Sequence, residues 1–250
     1  MIIKNQKELE ILREGGKKLA AVLAEAAQSA IAGISTRELD ALAEKLILKA
    51  GGAPSFKGYK TQGAQHPYPG ALCVSINDEV VHGLPTDRVL KNGDIVGLDI
   101  GMQFKGLFTD MALTILVGGG TNKLIEATKK SLEIGIAEVR AGARVGDIGF
   151  AIQKYLETEG FGVVRELVGH GVGRAVHEDP EIPNWGHRGD GPKLCEGMVV
   201  ALEPMATEGS HKVKIAPDGW TWLTKDGSRS AHFEHTVVVT KNSAEILTKI

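Results

Sequence analysis

Asp94-Ile-Val-Gly-Leu-Asp99-Ile-Gly-Met-Gln-Phe104-Lys105-Gly-Leu107-Phe-Thr-Asp110-Met-Ala-Leu-Thr-Ile-Leu-Val117 decides how the chain is read. Two short apolar runs, Asp94 to Ile100 and Leu107 to Val117, flank the turn-prone segment Gly101 to Gly106, and such a pattern predicts a β-hairpin. Inside those strands sit two carboxylates, Asp99 and Asp110, and burying either without a partner is costly. If the hairpin is centred between Phe104 and Lys105, the two face each other with Cβ atoms about 4.5–5.5 Å apart. Facing buried acids repel, so either one stays protonated or cations bind between them. Two surface aspartates flanking a hairpin is the competing account, and this pair alone does not decide between the two.

Upstream of the hairpin the periodicity is helical. Leu9, Leu12, Leu19, Val22, Leu23, Ala26 and Ala30 recur at helical intervals and predict an amphipathic helix over about 6–32. A second helix begins at Ser35, with Glu38 three residues on as a capping box, buries Leu39, Leu42, Leu46 and Ile47, and ends near Gly51-Gly52. A Gly/Pro/Gln-rich segment from 52 to 70 precedes a strand over Ala71 to Ile76. From 121 the order repeats, with helices near 121–140 and 146–159 and strands near 197–207, 211–216, 220–224 and 231–239. Sliding the chain by 109 residues sets Ala32-Gly33 on Ala141-Gly142, Glu38-Leu39 on Asp147-Ile148 and Gly51 on Gly160, as an internal repeat would. The expected architecture is therefore one α+β domain over 1–250, with pseudo-twofold halves of about 1–118 and 119–250, its strands sheeted together, helices on one face and a site where the halves meet.

Composition narrows the function classes. The 250 residues are 42% hydrophobic and 24% charged, and 29 Lys+Arg against 31 Asp+Glu leave a formal charge of −2. That is an ordinary globular balance without the basic excess of a nucleic-acid or anionic-membrane binder. The most apolar stretch, Leu19 to Ile34, is interrupted by Glu25, Gln28 and Ser29 and falls short of the roughly 20 apolar residues needed to span a bilayer. The first ten residues lack the pattern of a secretory signal, so a cytoplasmic location is expected, with Cys73 and Cys195 as thiols. Gly118-Gly119-Gly120 is not followed by Gly-Lys-Ser/Thr, and the glycines around His170 lack Rossmann spacing; nucleotide binding is not indicated.

More misplaced polar residues join the aspartates. Glu203 in Met-Val-Val-Ala-Leu-Glu-Pro and Glu234 in His-Phe-Glu-His-Thr-Val are acids where strands ask for apolar side chains, and His170 lies among glycines in Gly-His-Gly-Val-Gly. Singly, each glutamate reads as a strand-edge charge and a lone histidine as structural. Together Asp99, Asp110, His170, Glu203 and Glu234 supply a formal charge of −4, which two divalent cations neutralise. Oxygen donors with one imidazole suit Mn, Fe, Co or Zn and do not name the metal.

These segments resemble a known family across nearly the whole chain. Ser75-Ile-Asn-Asp-Glu-Val-Val-His82-Gly-Leu-Pro, Gly-His170-Gly-Val-Gly-Arg-Ala-Val-His177-Glu-Asp-Pro, Gly-Met-Val-Val-Ala-Leu-Glu203-Pro and Phe-Glu234-His-Thr are similar, in order, to the signatures of type I methionine aminopeptidases, which have the pita-bread (creatinase/aminopeptidase) fold. The resemblance implies that Asp99 and Asp110 chelate, that Asp110 and Glu234 bridge two ions, and that His170 and Glu203 complete the second. It implies hydrolysis of the initiator methionine from nascent proteins with a small second residue, by a dinuclear-metal-activated water. Glu203 is then the proton shuttle, His177 polarises the carbonyl oxygen and His82 contacts the scissile amide; for each histidine a satisfied structural role is the alternative.

The same resemblance places Tyr68, Cys73 and Trp220 around the methionine side chain and His66 at the mouth, although core packing accounts for the first three without it. Gln62 and Gln65 stand where relatives often carry a smaller or aromatic residue, and Val176 stands where an aromatic often precedes the catalytic histidine; a wider wall is implied. Asn77 and Ser230 fit positions that hold a monovalent cation in relatives, and turn residues explain both equally well. Implied partners are nascent polypeptide N-termini and a transient ribosome contact, with no specific nucleic acid, no membrane and a monomeric state. A proline-directed aminopeptidase or prolidase of the same fold is the alternative within the class. It usually carries a large extra N-terminal domain. Type II methionine aminopeptidases carry an insertion where this chain runs directly from His177 to Glu203. A non-catalytic peptide-binding scaffold is the alternative outside the class, and the complete donor set argues against it. The lack of an N-terminal zinc-finger extension points to a bacterial-like form.

Overall fold

Asn5 starts the first helix by accepting a 3.0 Å hydrogen bond from the Glu8 amide, which satisfies one of the orphan donors of a helix N-terminus. The computed structural model describes residues 1–60 and 66–249. Helix α1 runs Gln6–Ser29 and buries Leu12, Leu19, Val22, Leu23 and Ala26. Helix α2, Thr36–Lys49, carries the expected capping box between Ser35 and Glu38. Strands β1 (Ala53–Pro54), β2 (Leu72–Ile76) and β3 (Glu79–Val81) follow, then the long hairpin of β4 (Ile95–Phe104) and β5 (Leu107–Leu116). Helices α3 (Lys123–Glu138) and α4 (Val145–Thr158) open the second half. After them come β6 (Gly162–Val163), β7 (Gly169–Gly171), β8 (Glu178–Ile182), β9 (Val199–Leu202) and β10 (Met205–Thr207). The chain closes with β11 (Val213–Ile215), β12 (Trp222–Thr224), β13 (Ser230–His232), β14 (Glu234–Val239) and β15 (Ala244–Ile246). Helices α2 and α4 are both 14 residues long, and their first residues, Thr36 and Val145, are related by the 109-residue slide seen in the sequence.

A nine-stranded antiparallel sheet runs β1-β4-β5-β14-β9-β7-β8, with β2 on β4 and β15 on β14. Two three-stranded sheets, β13-β10-β6 and β11-β12-β3, adjoin it. The expected runs 197–207 and 231–239 are each divided. Pro204, which has no amide hydrogen to give a ladder, separates β9 from β10, and Phe233 separates β13 from β14. At both breaks the chain passes between the large sheet and the sheet of β13 and β10, so Glu203 and Glu234 lie at a seam between sheets.

The hairpin corrects one expectation. Phe104 pairs with Leu107, Gly101 with Asp110 and Asp99 with Ala112, so the two aspartates are diagonal neighbours on one face rather than direct partners. The cause is the turn: Lys105 and Gly106 both have positive φ, 48° and 85°, the backbone that a two-residue hairpin loop requires. The hairpin centre therefore falls one residue later than spacing alone suggests.

Two apolar cores support the sheet. One joins Leu19, Leu23, Leu39 and Ile47 of α1 and α2 to Leu72, Leu98 and Ile100. The other joins Leu132, Ile148, Ile152 and Leu156 of α3 and α4 to Val200, Leu202 and Val237. Among the described residues, no helix is long and apolar enough to cross a membrane.

Leu98 is fully buried and its neighbours are fixed in the hairpin, so Leu98→Ala is expected to cost about 2–5 kcal/mol. The exposed Ile31→Ala should stay within about 0.5 kcal/mol. Urea unfolding of the two variants checks the contrast.

Candidate metal centre

Five neighbouring strands, β4, β5, β14, β9 and β7 in spatial order, each deliver one donor. Asp99 lies on β4, Asp110 on β5, Glu234 at the start of β14, Glu203 just after β9 and His170 on β7. Register puts them on one face. Asp99 pairs with Ala112, which pairs in turn with Glu234. His170 pairs with Ala201, which pairs with Thr236, and the Thr236 hydroxyl donates 2.7 Å to the Asp110 carbonyl. Because side chains alternate along a strand, these two rows share a face, and the small Ala112 and Ala201 leave open volume between the larger donors.

The cluster is tight and largely buried. Asp110, His170 and Glu234 offer donor atoms that all lie within 4.8 Å of one another. His170 Nε2 is 3.6 Å from Glu203 Oε1 and 4.0 Å from Glu234 Oε1. Asp99, Asp110, His170 and Glu234 are buried, and Asp99 Oδ1 and Glu234 Oε1 have no hydrogen-bond partner. Among the described residues no lysine or arginine pairs with any of the four acids. Buried charge without a partner is strongly unfavourable. Burial first, then neighbouring acids, raises Asp110 and Glu234 well above the usual carboxylate range, and burial pushes Asp99 to about 7 and Glu203 to about 8.

The donor set fits divalent cations. The His170 Nδ1 lies 2.9 Å from the Gly171 carbonyl, which can only accept, so the ring proton is fixed there and Nε2 presents its lone pair to the cluster. Burial lowers the His170 pKa to about 3, leaving the ring neutral as a ligand must be. Orphaned carboxylate oxygens beside a bare imidazole nitrogen are what hard or borderline ions satisfy.

The centre forms the floor of a recess of about 500 Å³ that opens to solvent, and the recess is walled by Phe56, Tyr59, Tyr68, Cys73, His82, His177 and Trp220. Cys73 is the cross-strand partner of Asp99, so the apolar wall begins directly beside the acids. Tyr68 meets Trp220 edge-on with ring centroids 5.3 Å apart and donates to the Gly83 carbonyl at 2.8 Å. Val176 packs with Phe56, Tyr68, Cys73 and Trp220. His82 stands at φ +57°, a left-handed backbone rare outside glycine, with its ring 6.4 Å from that of Trp220. Burial, then His177 and His232, lowers the His82 pKa to about 4. The His177 ring lies 4.3 Å from that of His170.

Other expected residues lie outside the recess wall. His66 is exposed, with its Nε2 3.2 Å from the Asp218 carbonyl, while its own carbonyl accepts from Trp220 Nε1 at 3.1 Å. Gln62 and Gln65 fall outside the described residues. Asn77 and Ser230 meet each other, the Ser230 amide donating 2.8 Å to the Asn77 carbonyl.

Three residues of the site are not singled out by the sequence: Phe56 of the recess wall, Tyr59 and His232. Tyr59 sits with its hydroxyl 2.8 Å from His177 Nδ1. His232 is buried, with its Nε2 3.5 Å from Glu203 Oε2 and without a hydrogen-bond partner. The signal for His232 is its place two residues before Glu234 in the run 231–239, which the sequence alone presents as one alternating strand. For Tyr59 there was none beyond an aromatic in a Gly-rich segment.

Residues 10–241 match the family model described as metallopeptidase family M24. A methionine aminopeptidase 1 of Bacillus subtilis is 47% identical to this chain over 253 residues, covering 100% of both. A methionine aminopeptidase of Clostridium perfringens is 46% identical, covering 100% of this chain and 99% of its own. The crystal structure of a methionine aminopeptidase from Thermotoga maritima superposes with a TM-score of 0.94 at 44% identity, covering 100% of both chains. A prolidase from Pyrococcus furiosus shares the fold, with a TM-score of 0.75 at 24% identity over 100% of this chain and 66% of its own.

The acid cluster sets a pH dependence for the metal-stripped protein. Asp99 and Glu203 carry folded-state pKa values of about 7 and about 8, above the unfolded values near 4. The folded state then binds more protons than the unfolded chain between those limits, so the stability these groups contribute is complete below pH about 4 and is lost as pH rises through 7 to 8. Thermal melts should show a lower Tm at pH about 8.5 than at about 5.5, a flatter slope in Asp110→Asn, and recovery at high pH on adding a divalent metal. A stripped protein that gains stability over that interval and ignores metal contradicts the arrangement.

Proposed function

The chain belongs to metallopeptidase family M24, and on that premise we propose that it is a methionine aminopeptidase, a hydrolase that removes the N-terminal methionine of nascent polypeptides. One observation carries the reading: three buried carboxylates, a half-buried fourth and a tautomer-fixed imidazole, without a cation from the described residues of the chain, form the floor of an apolar recess. Its fold is the α+β pita-bread architecture shared by methionine aminopeptidases and prolidases. The curated relatives matched over nearly all of their length are methionine aminopeptidases, whereas the prolidase likeness is one of fold.

Asp99, Asp110, His170, Glu203 and Glu234 would hold two divalent ions. When bound, such ions polarise the scissile carbonyl and lower the pKa of water enough to supply a nucleophile near neutral pH. The remaining steps fall to side chains. Glu203, with an imidazole nitrogen 3.6 Å from one oxygen and 3.5 Å from the other, would move a proton between the nucleophile and the leaving amine. A neutral His177 donates to the carbonyl oxygen as charge develops there, and His82 contacts the scissile amide. Phe56, Tyr68, Cys73 and Trp220, with Val176 packed in the same cluster, supply the apolar, adaptable wall that a thioether side chain favours. The small second residue, the cytoplasmic setting, the monomeric state, a monovalent cation at Asn77 and Ser230 and a transient ribosome contact belong to the same proposal.

Chelator-stripped protein given Mn, Co, Fe or Zn singly is expected to release free methionine from Met-Ala-Ser only when metal is present. Silence with every ion would favour the proline-directed or scaffold alternatives. His82→Ala and His177→Ala should each lower kcat by about 10²–10⁴ while calorimetric metal binding is kept; unchanged turnover would remove both from the mechanism. Val176 is smaller than an aromatic, so norleucine and leucine at the first peptide position should be accepted more readily by the wild type than by Val176→Phe. Equal discrimination by both proteins would show that this wall does not set the preference.

A further inference from the structure

The Tyr59 hydroxyl lies 2.8 Å from Nδ1 of His177, with the two ring centroids 5.3 Å apart and inclined by 52°. The His177 ring also meets that of His170, 4.3 Å away and inclined by 65°. Tyr59 is itself held from both ends. Its amide donates to the Phe56 carbonyl, its carbonyl accepts from the Tyr68 amide, and the Gly58 amide donates to the Tyr68 carbonyl, each at 2.8 Å. The segment that presents Tyr59 is thus laced to the segment that builds the substrate wall, and among the described residues the hydroxyl has no other polar partner.

A neutral imidazole carries one N–H, and the hydrogen bond at one nitrogen decides where that proton sits. The phenol is the better donor of the pair, because its oxygen lone pair is delocalised into the ring. If the phenol donates to Nδ1, the proton must reside on Nε2. The reverse arrangement, Nδ1–H to the phenol oxygen, leaves Nε2 with a lone pair that repels a substrate oxygen. We propose that Tyr59 is a positioning residue for hydrolysis, its hydroxyl holding His177 in the Nε2–H tautomer and the orientation needed to donate to the scissile carbonyl. This rests on the reading of His177 given above. It extends to a phenol the principle by which a neighbouring acceptor or donor fixes the tautomer of a catalytic or ligating histidine, here with the donor on the phenol.

Tyr59→Phe removes one oxygen and keeps the ring contact. In the metal-loaded enzyme it is expected to lower kcat on Met-Ala-Ser about tenfold, the size of one neutral hydrogen bond, with KM and the calorimetric metal titration unchanged. Nitrogen-15 spectra of zinc-loaded protein with labelled histidines, with His177 assigned by its loss in His177→Ala, should show the Nε2–H tautomer in the wild type and a mixture in Tyr59→Phe. In a His177→Ala background the Tyr59→Phe change should add nothing. A Tyr59→Phe enzyme with unaltered kcat and tautomer overturns the proposal, as does an equal loss of kcat in the His177→Ala background, which would mark a wall role instead. A His177→Ala enzyme with wild-type turnover overturns the role of His177 itself, and the proposal with it; a slowed His177→Ala beside a normal Tyr59→Phe overturns the proposal alone.

Discussion

Mutual repulsion among Asp99, Asp110, Glu203 and Glu234 is the constraint around which the rest of the molecule is arranged. Each acid stands on or beside a different strand of one sheet, and none has a lysine or arginine partner among the described residues. Like charges in a low-dielectric interior favour opening the structure or protonating the acids, and bound cations reverse that preference. Keeping the acids together therefore requires a rigid support. The two apolar cores, one under α1 and α2 and one under α3 and α4, supply it from opposite halves. Fold and site are in this sense one problem: the cores tolerate a charge cluster that would otherwise weaken them, and the cluster gives them a reason to meet.

Much of this is legible in the residues. The capping box at Ser35 and Glu38, the apolar stripes of α1 and α2, and acids embedded in strand-like runs all follow from local rules that the tertiary structure leaves in force. Legibility fails where two local rules compete. Spacing centres the hairpin before Lys105, but the turn needs two successive positive φ values, and Lys105-Gly106 takes them. The apolar runs around Glu203 and Phe233 look continuous because hydrophobicity does not report a change of sheet; Pro204 was the mark of one break. Tyr59 could not be found from sequence at all, since its role depends on His177, brought beside it only by folding.

Close approach of backbone to backbone also shapes the site. A Cβ on Gly171 would meet the Asp179 carbonyl, and one on Gly83 the Val74 carbonyl. These glycines flank His170 and His82, and each allows a strand to pass near enough for the imidazole beside it to reach the recess. The glycine-rich setting of His170, which the sequence shows without explaining, is thereby a packing requirement as well as an opening for ligands.

His82 occupies a left-handed backbone conformation at φ +57°, at a cost of about 1–2 kcal/mol that glycine would not incur. Under the proposed role of His82, stability and turnover rank the possible residues at this position in opposite orders. A library screened only for heat resistance is expected to enrich glycine at position 82 and to discard, in doing so, the imidazole that lines the recess.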